Sequence, residues 1–167
     1  VSYITFMALK KEVDLNKPDK HGRAPLIIAV NHNNIKVVNA LLQGGADVHS
    51  TDSHGKTALH YAAENGHAEV AKLLLENQAW IMHNLSGDEE KDGKTPLHYA
   101  AQNGHVNVVE LLLKEGVGIN LADKNGKTAL HYAAENGHAE VAEALLNNKD
   151  CFDSSLNACL VVRGNCL

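Results

Sequence analysis

Residues 55–71 read GKTALHYAAENGHAEVA, and the same letters return at residues 126–142. A close copy, GKTPLHYAAQNGHVNVV, lies between them at 93–109, and a worn one, GRAPLIIAVNHNNIKVV, precedes them at 22–38. One position followed through the four copies falls on Ala24, Thr57, Thr95 and Thr128, at steps of 33, 38 and 33 residues. A period of that size marks a chain of stacked supersecondary units rather than one globule around a single centre.

Each unit can be read from its residues. Thr95 followed by Pro96 is a helix N-cap with proline at the first helical position, where its missing N–H costs nothing. Leu97, Ala100 and Ala101 follow at helical spacing. The small alanines would let neighbouring helices approach closely. Gly104 ends that short helix, because glycine takes the left-handed conformation after a helix without strain. A second helix carries Val108, Val109, Leu111, Leu112 and Leu113, and Gly116 stops it. Neither helix can hide its apolar stripe alone, so stacking must bury the stripes in one continuous core.

The words of the units resemble the ankyrin repeat. The match lies in Asp52-Ser53-His54-Gly55-Lys56-Thr57-Ala58-Leu59-His60-Tyr61-Ala62-Ala63, then Gly66-His67, then Leu73-Leu74-Leu75. It lies again in Gly93-Lys94-Thr95-Pro96-Leu97-His98-Tyr99-Ala100-Ala101 with Gly104-His105. The resemblance covers residues 19–150 and implies an all-α solenoid of helix-turn-helix units joined by hairpin-like linkers. The expected organisation is a partial repeat or cap at 1–18, a degenerate repeat at 19–51, a repeat with a loop insertion at 52–91, repeats at 92–122 and 123–150, and a degenerate cap or tail at 151–167. Residues 1–18 read as the back half of an earlier repeat. The chain begins with Val rather than Met, so an excerpt from a longer array is one expectation. The first full unit departs most: Ala24 replaces the capping Thr, Ile27 replaces His, and Asn33-Asn34 replaces Gly-His. Asn33 is the next-best residue after glycine for the left-handed position. This unit is expected to be folded but the least stable of the four.

The 38-residue step reflects an insertion of five after the second unit. Ser86-Gly87 and the acidic run at 88–90 read as an exposed loop. Composition bounds the rest. The chain has 167 residues, 44% hydrophobic and 21% charged, with only 4% aromatic, so its core must be Leu, Val and Ala. A net charge of −5 with no basic run argues against nucleic acid. No stretch approaches a membrane span, and residues 1–9 lack the parts of a signal peptide. Cys151, Cys159 and Cys166 are odd in number with no CxxC, which reads as neither a disulfide framework nor a zinc site. A cytoplasmic, reducing setting fits, including a host-cell cytosol if the chain is a delivered bacterial protein. Asn84-Leu85-Ser86 is a glycosylation sequon in form, taken as a chance match.

Eleven histidines raise the question of metal. His60, His98 and His131 share one repeat position, and His67, His105 and His138 another. A zinc site needs three or four ligands at one point, whereas equivalent positions in successive repeats form a ladder. The family resemblance implies that the first set is structural, bonding toward the Thr at the helix start and the next turn. No HExxH, GxGxxG, Walker-type or GxSxG motif occurs, so neither catalytic residue, metal nor cofactor is expected.

The remaining candidate is surface. The resemblance implies a protein partner docking on the concave face and linker tips. Carried onto this chain, that face includes Lys56, Lys94 and Lys127, with Arg23 in the worn unit. It also includes Asn31, His32, Glu64, Asn65, Gln102, Asn103, Glu135 and Asn136. Tyr61, Tyr99 and Tyr132 occupy one helical position. Half-buried packing is preferred for them, with direct contact by Tyr99 and Tyr132 as the alternative. Trp80 and Met82 precede the insertion, which is either a partner-contact element or a flexible loop. The function expected is a non-catalytic, monomeric protein–protein interaction module or scaffold that takes no nucleic acid or membrane. An intramolecular regulatory or scaffolding segment of a larger protein is the alternative.

Overall fold

The computed structural model describes residues 13–77 and 90–148, so Trp80, Met82 and both cap or tail segments lie outside the described residues, apart from 13–18. Among the described residues eight helices follow in pairs: α1 (Pro25–Asn31) with α2 (Ile35–Gly44), α3 (Ala58–Asn65) with α4 (Ala68–Asn77), α5 (Pro96–Gln102) with α6 (Val106–Lys114), and α7 (Ala129–Asn136) with α8 (Ala139–Asn147). Among the described residues the only β pairing is one isolated bridge, Thr51 with Thr57. The first helices pack in a row, α1 on α3 on α5 on α7, and the second helices form a parallel row, α2 on α4 on α6 on α8. This is the stack of units that the period predicted, in the all-α form that the resemblance implied.

The same positions fill the core in the second, third and fourth units, whereas Val37, the first unit's counterpart of Val70, is 42% exposed. Leu59, Leu97 and Leu130 come from the first helices, and Val70, Val108 and Val141 from the second. All belong to one contiguous apolar cluster running through the stack. Leu74, Leu112 and Leu145 are completely buried, while their counterpart Leu41 in the first unit is only partly so. Ala62-Ala63 and Ala100-Ala101 are also fully buried, so the first helices meet through methyl groups.

The helix starts follow from the capping chemistry read in the sequence. Thr95 is the N-cap of α5, and its hydroxyl accepts from His98 N at 3.4 Å. Ala24 caps α1 with no side-chain bond, although Pro25 still sets the first turn. Gly66 and Gly104 have φ of 73° and 74°, the left-handed region. They also lie against the next unit: a Cβ on Gly66 would fall 2.6 Å from His105 Nδ1, and one on Gly104 2.7 Å from His138 Nδ1. Asn33 takes the same place in the first unit at φ 53°. Asn34 then caps α2 by accepting from Val37 N at 3.3 Å.

Candidate functional site

Each unit begins with a tight turn built on one carboxylate. Asp52 Oδ1 accepts from the N–H groups of His54 (2.8 Å) and Lys56 (3.0 Å), and Oδ2 accepts from the Tyr61 hydroxyl at 2.7 Å. Asp123 repeats this with Asn125 N (2.8 Å), Lys127 N (2.9 Å) and the Tyr132 hydroxyl (2.6 Å). In the third unit the residue is Glu90. Its Oε2 accepts from Asp92 N (2.8 Å) and Lys94 N (2.9 Å), and Oε1 accepts from the Tyr99 hydroxyl at 3.2 Å. Glu90 is only 3% exposed. The reading of 88–90 as an exposed acidic loop is therefore corrected at Glu90. The turn of the third unit starts there, two residues before the boundary expected at 92, because Gly93 stands three residues after it as Gly55 follows Asp52. That count back from the glycine was the available signal, and it would have found all four turn acids.

The first unit solves the same problem differently. Ile28 stands where the other units have Tyr, so Asp19 has no phenol to accept from. Arg23 supplies the bond instead, with Nε at 3.0 Å and Nη2 at 2.8 Å from Oδ2. That hydrogen bond holds the Asp19 carboxyl down to about 2. Arg23 is thus committed within its own unit. At Asp52 and Asp123 burial pushes the pKa up, but the Tyr hydroxyl and two backbone N–H groups outweigh it and both carboxyls sit below their ordinary value. Burial, joined by the carboxylate alongside, pushes the phenols of Tyr61, Tyr99 and Tyr132 up.

Above these turns the lysines and tyrosines interleave into a column. Lys56 Nζ lies 5.5 Å from the Tyr61 ring centroid and 4.1 Å from that of Tyr99. Lys94 Nζ lies 5.3 Å from Tyr99 and 4.6 Å from Tyr132, and Lys127 Nζ 5.4 Å from Tyr132. An ammonium over an aromatic face is attracted by the ring quadrupole. Lys56 also pairs with Glu64 at 3.0 Å and Lys127 with Glu135 at 2.7 Å, whereas Lys94 donates to Gln102 Oε1 at 3.0 Å. Tyr99 and Tyr132 are each 7% exposed, roofed by lysine and anchored below by a carboxylate. The structure withdraws both from the exposed set; Tyr61 is half-buried.

The histidines divide into two ladders. His60 Nδ1 faces the Thr57 N–H at 3.2 Å and the Thr57 hydroxyl at 2.9 Å, so it must be unprotonated, and Nε2–H donates to the Lys94 carbonyl of the next unit at 3.0 Å. His98 does the same with Thr95 and donates to the Lys127 carbonyl at 2.9 Å. Burial drives the His60 pKa down to about 4 and lowers that of His98. In the second ladder His105 Nε2 donates to the Glu64 carbonyl and His138 Nε2 to the Gln102 carbonyl, both at 3.0 Å. Among the described residues no three His, Cys, Asp or Glu side chains converge as a metal site.

What remains open on the first-helix face is a row of His32, Asn65, Asn103, Glu135 and Asn136, all exposed. Asn65 Nδ2 reaches Asn31 Oδ1 at 3.2 Å, and Asn103 Nδ2 donates to the Glu64 carbonyl at 3.0 Å. Asn136 Nδ2 donates to the Tyr132 carbonyl at 2.8 Å. The structure thus brings Lys56, Glu64, Asn65, Lys94, Gln102, Asn103, Lys127, Glu135 and Asn136 onto one face. The hairpin tips are joined by backbone bonds: Ser53 N to His21 O, Lys91 N to His54 O and Lys124 N to Asp92 O.

Recurring helix pairs, a carboxylate turn before each, and histidine ladders across each later junction define a helical-repeat solenoid with no metal-binding cluster among the described residues. The chain belongs to the ankyrin-repeat family: the family model for ankyrin repeats (3 copies) matches residues 3–84 and 78–155. Such repeats generally serve as protein–protein interaction modules and are typically non-catalytic. No curated protein matches the chain as a relative. No helix among the described residues is long and apolar enough to cross a membrane.

Proposed function

We propose that the chain is a non-catalytic module that binds another protein along its first-helix face and hairpin tips. The observation that carries this reading is the row of exposed polar side chains at matching positions of consecutive units, on a backbone tied unit to unit at the tips. Such a face offers many hydrogen-bonding groups in fixed register, which suits a polar interface edge. The partner would touch His32, Asn65, Asn103, Glu135 and Asn136 directly, and Lys56, Lys94 and Lys127 where they reach solvent. Trp80 and Met82 extend the proposed contact along the insertion. A cytosolic, monomeric existence belongs to the same reading, its cytosolic part supported by three cysteines without CxxC spacing.

Photo-crosslinking from native lysate tests it. A crosslinker at Asn103 should capture a distinct partner that one at Glu110, on the second helix, does not. Capture from Glu110 alone would place the binding face elsewhere. Removing 85–89 tests the insertion, with weaker capture and an unchanged melt expected. The cut must stop before Glu90, whose carboxylate holds the third turn.

A further inference from the structure

We infer that Lys94 is the recognition cation of the inner face and that the partner presents an acidic side chain, Asp or Glu, to it. The inference rests on the binding-face reading above and names the chemistry that face selects.

Three lysines hold equivalent places in the column, but they are not equivalent in charge. Lys56 meets the Glu64 carboxylate and Lys127 the Glu135 carboxylate, so both are neutralised inside the chain. Lys94 meets Gln102, an acceptor of the same reach with no charge. The units on either side are identical over seventeen letters and both carry Glu at this position, so the third unit is the one that breaks the pairing. The Tyr99 and Tyr132 rings hold the Lys94 ammonium in place, at 5.3 and 4.6 Å, without cancelling its charge. A carboxylate arriving there would find a cation already ordered, so less side-chain entropy is lost on contact.

The surroundings lean the same way. Lys91 and Lys124 are exposed on adjacent hairpin tips, and the Lys124 ammonium donates to the Lys91 carbonyl while its stem crosses Gly93. Glu90 is not ion-paired with Lys94: its two oxygens accept from two backbone N–H groups and the Tyr99 hydroxyl. Asp92 is the exposed acid of the turn. Asp88 and Glu89 precede the turn in sequence and carry negative charge, so the test includes a variant without that charge.

The test measures fluorescence anisotropy of a labelled alternating Glu/Ala peptide at low ionic strength, on the full chain and on its D88N/E89Q variant. The controls are the matching Gln/Ala peptide and an oligothymidylate of equal charge. The Glu/Ala peptide should bind and the Gln/Ala peptide should not. Q102E supplies the missing internal carboxylate and should weaken binding about threefold to tenfold, as should K94Q, while E110Q on the outer helix changes nothing. Failure of the Glu/Ala peptide in both backgrounds, indifference to Q102E, or preference for the oligothymidylate would each overturn the inference. Crosslinking from Asn103 that persists despite such a failure would sink the acidic partner alone and leave the binding face standing.

Discussion

The junction between the first and second units and the junction between the second and third bury the same kind of apolar surface but differ in their polar links. Across the later junction His60 reaches the Lys94 carbonyl, and His105 and Asn103 reach the Glu64 carbonyl. The third and fourth units repeat this through His98 and His138. At the first junction Ile27 stands where a donor histidine would be, and Asn33 brings a Cβ to the place that Gly66 and Gly104 leave clear for the next histidine ring. Among the described residues that junction carries the tip bond from Ser53 to His21 and a contact between Asn65 and Asn31. Apolar stripes make the units stack; the histidine ladders tie one unit's fate to the next. Buried polar groups stabilise only when satisfied, and each histidine here satisfies a cap and a carbonyl together.

The comparison can be broken hardest in the core. Leu112→Ala should cost about 2–5 kcal/mol in denaturant unfolding, and Leu41→Ala, at the partly buried counterpart, should cost less. Acid comes next. With the folded His60 pKa near 4 and its ordinary value at 6.5, the unfolded chain binds the proton between those pH values and the folded chain does not. The stability present above about pH 6.5 therefore falls as pH drops toward 4, by roughly 3 kcal/mol for this group. A His60→Ile variant should lose that part of the slope. Acid loss tied to Asp19 belongs to a lower window, down toward its pKa of about 2.

His98→Ile writes the first unit's residue into the third. It leaves the Lys127 carbonyl and the Thr95 N–H without their partner, at a cost of about 1–3 kcal/mol in a thermal or denaturant melt. The smallest change runs the other way. Asn33→Gly relieves a left-handed residue and clears space for the His67 ring, and should stabilise by about 0.5–1 kcal/mol. An unchanged or lowered melting temperature would show that Asn33 is better accommodated than its φ suggests.

Much of this was legible in the letters. The period gave the stack, Thr95-Pro96 gave the helix start, and Gly104 gave its end, because each depends on local backbone chemistry that a single residue decides. The first unit's missing cap bond and missing histidine link could be read from Ala24 and Ile27, and its left-handed residue from Asn33. The depth of Tyr99 and Tyr132 could not, since it depends on a lysine of the preceding unit lying over the ring and a carboxylate nine residues back lying under it. Glu90 was hidden by the insertion before it, which made a buried turn acid look like the end of an acidic run. The partnership of Arg23 with Asp19 becomes visible only once Ile28 is seen to remove the phenol.

Native-state hydrogen exchange on the chain and on an Ala24→Thr, Ile27→His, Asn33→Gly variant tests most directly whether the missing links set the order of opening. Amides of α1 and α2 should exchange through openings of lower free energy than those of α7 and α8, and the triple variant should narrow that gap. Equal protection in the four helix pairs, earlier opening of α7 and α8, or a gap unmoved by the three substitutions would contradict the account.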